Sequence, residues 1–191
     1  ITHGYSVQKA FDEYGGKFGG SGPKPAGGRR FNYQLPDMPW SGTQTDWGAF
    51  PDRDEKMPDH KVADWAVERL AEKSDKPFFL AVGFVRPHVP FYVPKKWFDL
   101  FPLADVQLPP VRSDDLHDVP EISRRIHELP KYPKLAFLQK NDNEQFRKCV
   151  QSYLACVAFV DHQVGRVLDA LEKGPHANDT LVVLFSDHGY H

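Results

Sequence analysis

Residues 180–191 read Thr-Leu-Val-Val-Leu-Phe-Ser-Asp-His-Gly-Tyr-His, an apolar run that ends in an acid beside an imidazole. A carboxylate oxygen and a neutral ring nitrogen can share one cation, and a turn at Gly189 can aim Asp187 and His188 at it. The same pair also fits a plain surface turn. A second candidate follows another apolar run, Lys76-Pro-Phe-Phe-Leu-Ala-Val-Gly-Phe84, which leads into Val85-Arg86-Pro87-His88-Val89-Pro90-Phe91. His88 lies just after one proline and just before another proline's neighbour, so its backbone is stiff. That suits a fixed hydrogen-bond donor to an anion, and it equally suits a rigid turn with an incidental histidine. Three other chemistries lack their patterns: there is no Gly-x-Ser-x-Gly elbow, no His-Glu-x-x-His or paired-cysteine zinc motif, and no dinucleotide fingerprint.

The elements that would position these residues are legible in part. Residues 60–73 form an amphipathic helix pattern, with Val62, Trp65, Ala66 and Leu70 on one face and Asp59 as the expected N-cap. Residues 144–172 carry the strongest helical period: Phe146, Val150, Tyr153, Val157, Val160, Val164, Val167 and Leu171 make one stripe, ended by Gly174-Pro175. Asp161 lies on the apolar side of that pattern and is expected to be paired in a structural role. The runs 76–84 and 180–185 lack alternation, as strands buried on both faces do. Shorter helices are expected at Lys95–Leu100 and near Pro120–Ile126. The order helix, strand, long excursion, helix, strand predicts an α/β fold with a mainly parallel sheet flanked by helices and long Pro/Gly-rich loops. Ligands collect beyond the carboxyl ends of such strands. His88, Asp187 and His188 would then face one crevice.

Composition sets outer bounds. The 191 residues are 40% hydrophobic and 26% charged, enough for one globular core. A net charge of -2 gives no electrostatic case for nucleic acid or an anionic membrane. No apolar run approaches the roughly 20 residues of a membrane span. No basic stretch followed by an apolar one opens the chain, so no secretory signal is expected in it. Cys149 and Cys156, seven apart on a helix, would sit about 10 Å from each other, too far for a disulfide. Both are expected to be reduced. The 17 prolines and 14 glycines cluster in 14–60 and 86–133, which reads as long loops. Residues 15–30, Gly-Gly-Lys-Phe-Gly-Gly-Ser-Gly-Pro-Lys-Pro-Ala-Gly-Gly-Arg-Arg, have no strand before them and no Gly-Lys-Ser/Thr, and read as a surface loop rather than a phosphate cradle.

Three stretches resemble the sulfatases of the alkaline-phosphatase superfamily, in particular the iduronate-2-sulfatase group and its bacterial relatives. They are "KPFFLAVGFVRPHVPFYVPKKWFDLFPL", "SYLACVAFVDHQVGRVLDAL" and "TLVVLFSDHGYH". A fourth, "ITHG" at residues 1–4, is similar to the family's Gly-Lys-x-x-His segment. The resemblance implies that residues 1–191 are a central part of one sulfatase catalytic domain. It implies hydrolysis of sulfate esters, on a sulfated polysaccharide such as a glycosaminoglycan, by a formylglycine- and Ca2+-dependent mechanism. Carried over, Asp187 and His188 are metal ligands. His88 hydrogen-bonds the sulfate or leaving oxygen as a candidate general acid, and His3 lies near the nucleophile and sulfate. Tyr190 would point toward the sugar. A periplasmic, secreted or lysosome-like location is implied for the whole enzyme. Alternatives are a phosphodiesterase or phosphonate hydrolase of the same superfamily, and a non-catalytic glycan-binding module.

The departures are specific. Cys149 is followed by Val-Gln-Ser-Tyr and Cys156 by Val-Ala-Phe-Val, so neither lies in the Cys/Ser-x-Pro-x-Arg motif that yields formylglycine. The family's paired N-terminal aspartates have no match. The formylglycine is therefore expected outside this chain, and association through exposed core surfaces of the segment is expected. The 191-residue chain alone should not turn over an aryl sulfate ester. Measurable sulfate release by the purified chain would contradict that assignment.

Overall fold

The computed structural model describes residues 11–16, 18, 20–28, 30–32, 45–110, 112, 114–127 and 143–189. Six elements matter: β1 (Trp47–Ala49), α1 (Pro58–Ala71), β2 (Phe91–Val93), α2 (Lys95–Phe98), α3 (Glu121–His127) and α4 (Asn143–Lys173). β1 and β2 pair in parallel, with Trp47 opposite Phe91, Gly48 opposite Tyr92 and Ala49 opposite Val93. The pair extends outward through Phe91 N–H to the Asp46 carbonyl at 2.8 Å and Phe50 N–H to the Val93 carbonyl at 2.9 Å. Glycine is required at the centre of β1. Gly48 has φ +154°, and a Cβ there would lie 2.7 Å from the Phe31 ring. Helices flank this parallel pair, so the described fold is mixed α/β, as expected.

α1 and α4 pack together behind the strands. α1 starts with Pro58 at its first turn, where a missing N–H costs nothing, and ends beyond Arg69, whose charge suits the C-terminus. Asp59 is not the N-cap. It is the second residue of the helix, buried, while Met57 occupies the cap. α4 runs for 31 residues, close to its predicted span. Gly174 N–H bonds the Leu171 carbonyl at 3.1 Å, and a Cβ on Gly174 would stand 2.7 Å from the Ala170 oxygen. Across the helix pair, Arg166 of α4 engages Asp64, donates to Gln163 Oε1 at 2.9 Å and lies 3.1 Å from His60 Nδ1.

The buried stripe of α4 is displaced from the expected one. Phe146, Ser152, Ala155, Cys156, Phe159 and Gln163 are buried, whereas Val157 is 39% exposed and Asp161 is exposed. On this face Ala155, Cys156 and Phe159 share the buried core with Trp47, Phe91 and Val93 of the strands. Asp161 thus needs no buried partner. The core gathers Trp47, Met57, Phe91, Val93, Ala155, Cys156 and Phe159. Trp97 of α2 caps it edge-on to Phe159 at 5.8 Å, and Tyr153 meets Phe91 at 5.7 Å.

The expected strands at 76–84 and 180–185 are not formed. Both runs lack ladder hydrogen bonds, because neither meets another backbone among the described residues. Leu181, Leu184 and Phe185 are 90%, 77% and 84% exposed. The short helix expected at Lys95–Leu100 is α2, ending at Phe98, and the one near 120–126 is α3. No described helix is long and apolar enough to cross a membrane. Phe159 is fully buried between strands and α2, so Phe159→Ala should cost about 3–5 kcal/mol, read as a lower urea midpoint in equilibrium unfolding.

Candidate functional site

The turn that carries His88 is built around Arg86. This guanidinium is 4% exposed. Nε donates to the Tyr92 carbonyl at 3.0 Å, Nη1 to the His88 carbonyl at 3.4 Å and Nη2 to the Ser21 carbonyl at 2.7 Å. Arg86–Pro87 and Val89–Pro90 are both cis peptides. The His88 N–H closes the turn onto the Val85 carbonyl at 2.9 Å. One cation therefore joins the start of the turn, the turn itself, β2 and the loop around Ser21.

The counter-charge comes from α1. Asp59 is 1% exposed, its Oδ1 accepts the Val85 N–H, and its Oδ2 has no hydrogen-bond partner. Burial pushes the Asp59 carboxyl up, against the opposing pull of the Val85 N–H and the Arg86 charge. Burial also lowers the Arg86 pKa, but a guanidinium stays protonated in proteins. Cys156 of α4 lies beneath the pair, and desolvation pushes its thiol up to about 12. Cys149 is likewise pushed up to about 12 by burial. Both are free, as expected, and both are inert as thiols at neutral pH.

A second buried acid anchors the other side of β2. Asp46 Oδ1 accepts from Asn32 N–H at 3.1 Å and Asn32 Nδ2 at 2.7 Å. Its Oδ2 accepts from Phe31 N–H at 2.7 Å and from the Tyr92 hydroxyl. Burial and the Asp46 charge raise the Tyr92 pKa, so the phenol remains a donor. Tyr92 thus gives its carbonyl to Arg86 and its hydroxyl to Asp46.

The predicted site residues fall out as follows. His88 is exposed at the tip of the Arg86-held turn, and its Nδ1 is 2.7 Å from the Val89 carbonyl. A carbonyl only accepts, so Nδ1 carries the proton, which leaves Nε2 as the unprotonated nitrogen of the neutral ring. His188 behaves the same way: Nδ1 is 2.8 Å from the Gly189 carbonyl, leaving Nε2 free. That Nε2 lies 3.8 Å from Asp187 Oδ2, with both side chains about three-quarters exposed. The turn is closed by His188 N–H to Asp187 Oδ1 at 3.0 Å and Ser186 Oγ–H to the His188 carbonyl at 2.6 Å. No hydrogen bond or ion pair among the described residues joins His88 to Asp187 or His188. His3 and Tyr190 lie outside the described residues.

A cation test follows from that geometry. Ligand distances of about 2.3–2.6 Å allow two donors 3.8 Å apart to share one ion. Asp187 supplies a hard oxygen and His188 a lone pair on the free nitrogen. Two donors are a fraction of the six to eight that Ca2+ takes. No group of three or more His, Cys, Asp or Glu among the described residues could complete the set. The pair fits as part of a metal site and is not a metal site by itself.

Sequence reasoning missed Arg86, Asp59, Asp46 and Tyr92 as organising groups. The available signals were an acid in the first turn of an amphipathic helix and a basic residue directly before Pro87-His88. Neither tells which distant backbone the side chain meets.

The scaffold is thus a parallel strand pair flanked by helices, with the Arg86-held His88 turn leading into β2 and the Asp187–His188 turn joined to it by no hydrogen bond among the described residues. The sulfatase family model matches residues 3–191. A sulfatase of Formosa agariphila is 47% identical over the whole chain, which covers 38% of that protein. Human iduronate 2-sulfatase is 33% identical over 70% of the chain, covering 26% of its own length. A choline-sulfatase of Rhizobium meliloti is 26% identical over 98% of the chain and 36% of that protein. No solved structure matches the chain. The chain belongs to the sulfatase family, and it spans well under half the length of these relatives.

The Arg86 clamp makes two predictions. Arg86→Met should cost about 3–5 kcal/mol, because it strands a buried carboxylate and three carbonyls. Asp59→Asn tests the sign of its perturbation. A carboxyl raised on folding binds its proton more tightly in the folded state, so stability falls as pH rises from its ordinary value of 3.8 toward the raised one. The stability of Asp59→Asn relative to wild type should therefore rise with pH across that window and then level off. A flat difference between pH 3 and pH 7 in urea titrations would remove the argument.

Proposed function

We propose that the complete protein containing this chain hydrolyses sulfate esters on a sulfated polysaccharide such as a glycosaminoglycan. His88, Asp187 and His188 would belong to the sulfate-ester site. The observation that supports this reading is the turn at His88: a sulfatase-family chain holds it with a buried cation, and Nε2 is the nitrogen left free. A rigid backbone with one free ring nitrogen is what orientation of an anionic substrate requires.

With Nδ1–H committed to the Val89 carbonyl, His88 donates from Nε2 only when the ring is doubly protonated. In that form Nε2–H hydrogen-bonds a sulfate oxygen, or delivers its proton to the alcohol oxygen that leaves. Asp187 and His188 would supply two ligands to a divalent cation, Ca2+ in our reading, completed by residues outside the described ones. When bound, such an ion would neutralise charge developing on the ester. The nucleophile, a formylglycine in this reading, would come from another part of the protein. His3 and Tyr190 remain proposed as a further sulfate-pocket histidine and a sugar contact. A location outside the cytoplasm is part of the same proposal.

In the complete gene product, His88→Ala should lower kcat on a sulfate ester by about 10²–10⁴-fold, while the urea midpoint stays near wild type because His88 is exposed. An unchanged kcat would remove His88 from the chemistry. The 191-residue chain should bind Ca2+ weakly in a calorimetric titration, and Asp187→Ala should abolish that binding. Tight binding that survives Asp187→Ala would contradict the ligand assignment.

A further inference from the structure

The N–H and the carbonyl of Val85 are both engaged, by different parts of the fold. Asp59 Oδ1 of α1 accepts the N–H, and the His88 N–H donates to the carbonyl at 2.9 Å. Two hydrogen bonds therefore connect a buried helical carboxyl to the backbone of His88. The Arg86 backbone N–H acts on the same carboxyl. Asp59 thus receives the head of the turn, while Arg86 Nη1 reaches the His88 carbonyl from the other side.

The base of this relay is fixed. Asp59 is the second residue of α1 and is 1% exposed. Arg166 of α4 engages Asp64 and lies 3.1 Å from Nδ1 of His60, the residue next to Asp59. A guanidinium only donates, so that His60 nitrogen accepts. α1 is thereby tied to α4 beside the residue that carries the turn. The far end of the relay is open, because His88 is exposed.

Asp59 is a poor choice for stability alone. Burial pushes its carboxyl up, and Oδ2 meets no hydrogen-bond partner among the described residues. A buried carboxyl with an unpaired oxygen destabilises a fold relative to an apolar side chain of similar size. What the carboxyl adds is an acceptor for the amide at the head of the His88 turn. Acids held at such a cost cluster at functional sites.

We propose that Asp59 is a positioning residue for the reaction: through Val85 it fixes where the His88 ring stands against the substrate. The inference rests on the sulfatase reading above and on His88 belonging to that site. Asp59 touches no substrate and gives up no proton to it. It acts only through the backbone of the turn.

The test is a double-mutant cycle in the complete gene product, reading kcat on a sulfated disaccharide with each variant fully folded. Asp59→Ala should lower kcat about 10–100-fold, the scale of an ångström-sized misplacement of a reacting group. Asp59→Asn keeps an acceptor oxygen and should recover most of that loss. In the His88→Ala background, Asp59→Ala should change kcat by less than about twofold, because no ring remains to be placed. If Asp59→Ala does not fold, Asp59→Ser takes its place, since its shorter side chain falls short of the Val85 N–H. Unchanged kcat in Asp59→Ala, an equal loss with and without His88, or no recovery in Asp59→Asn overturns the relay and leaves the sulfatase reading standing. Full activity in His88→Ala overturns the His88 assignment and the relay with it. A complete protein that hydrolyses no sulfate ester overturns the sulfatase reading and the relay together.

Discussion

A guanidinium taken out of water must find partners for its donors and an opposing charge, or the fold loses several kcal/mol. Arg86 meets the first demand with the carbonyls of Ser21, His88 and Tyr92, and the buried Asp59 charge acts on it from α1. The consequence is geometric. The Ser21 loop, the His88 turn and β2 are held to one another by that cation, and Asp59 ties the first turn of α1 to Val85. The loop at Ser21, α1 and the 85–93 segment are separate stretches of sequence, and the first has little regular secondary structure that would otherwise fix it.

Tyr92 couples this hub to a second one. Its carbonyl serves Arg86 and its hydroxyl serves Asp46, which in turn gathers the backbone of Phe31 and Asn32. A residue of a three-residue strand thereby ties together two buried charges of opposite sign. The rings reinforce the arrangement, with Phe31 edge-on to Tyr92 at 5.3 Å. Asp187 and His188 stand outside both networks and are positioned by local hydrogen bonds within their own turn.

Legibility followed the length of the pattern. α4 and α1 were readable because a 3.6-residue period repeated over many turns, and their bounds came out within a few residues. The strands were not. Trp47–Ala49 and Phe91–Val93 are too short to show a period, and a run of three apolar or aromatic residues is common in loops. Conversely, 76–84 and 180–185 have the composition of buried strands but meet no partner backbone among the described residues. Composition states what a segment could pair as; a ladder requires a neighbour at about 4.8 Å. The face of α4 was misread for a related reason. The most apolar stripe is not the most buried one: the face that meets the strands carries Ala155, Cys156 and Phe159.

By itself the sequence determined the family. Its motifs around His88, along α4 and at Ser186-Asp187-His188-Gly189 are local, and local residue order survives without coordinates. It also determined the two long helices, whose hydrogen bonds all lie within five residues of each other. Tertiary structure alone decided that Asp59 is a buried counter-charge rather than a cap and that Arg86 is a clamp. It also decided that Tyr92 and Asp46, 46 positions apart in sequence, are hydrogen-bond partners. Those facts depend on which donor reaches which acceptor across the fold. Side-chain charge is written in the sequence, but its partner, its burial and hence its chemistry are set by packing.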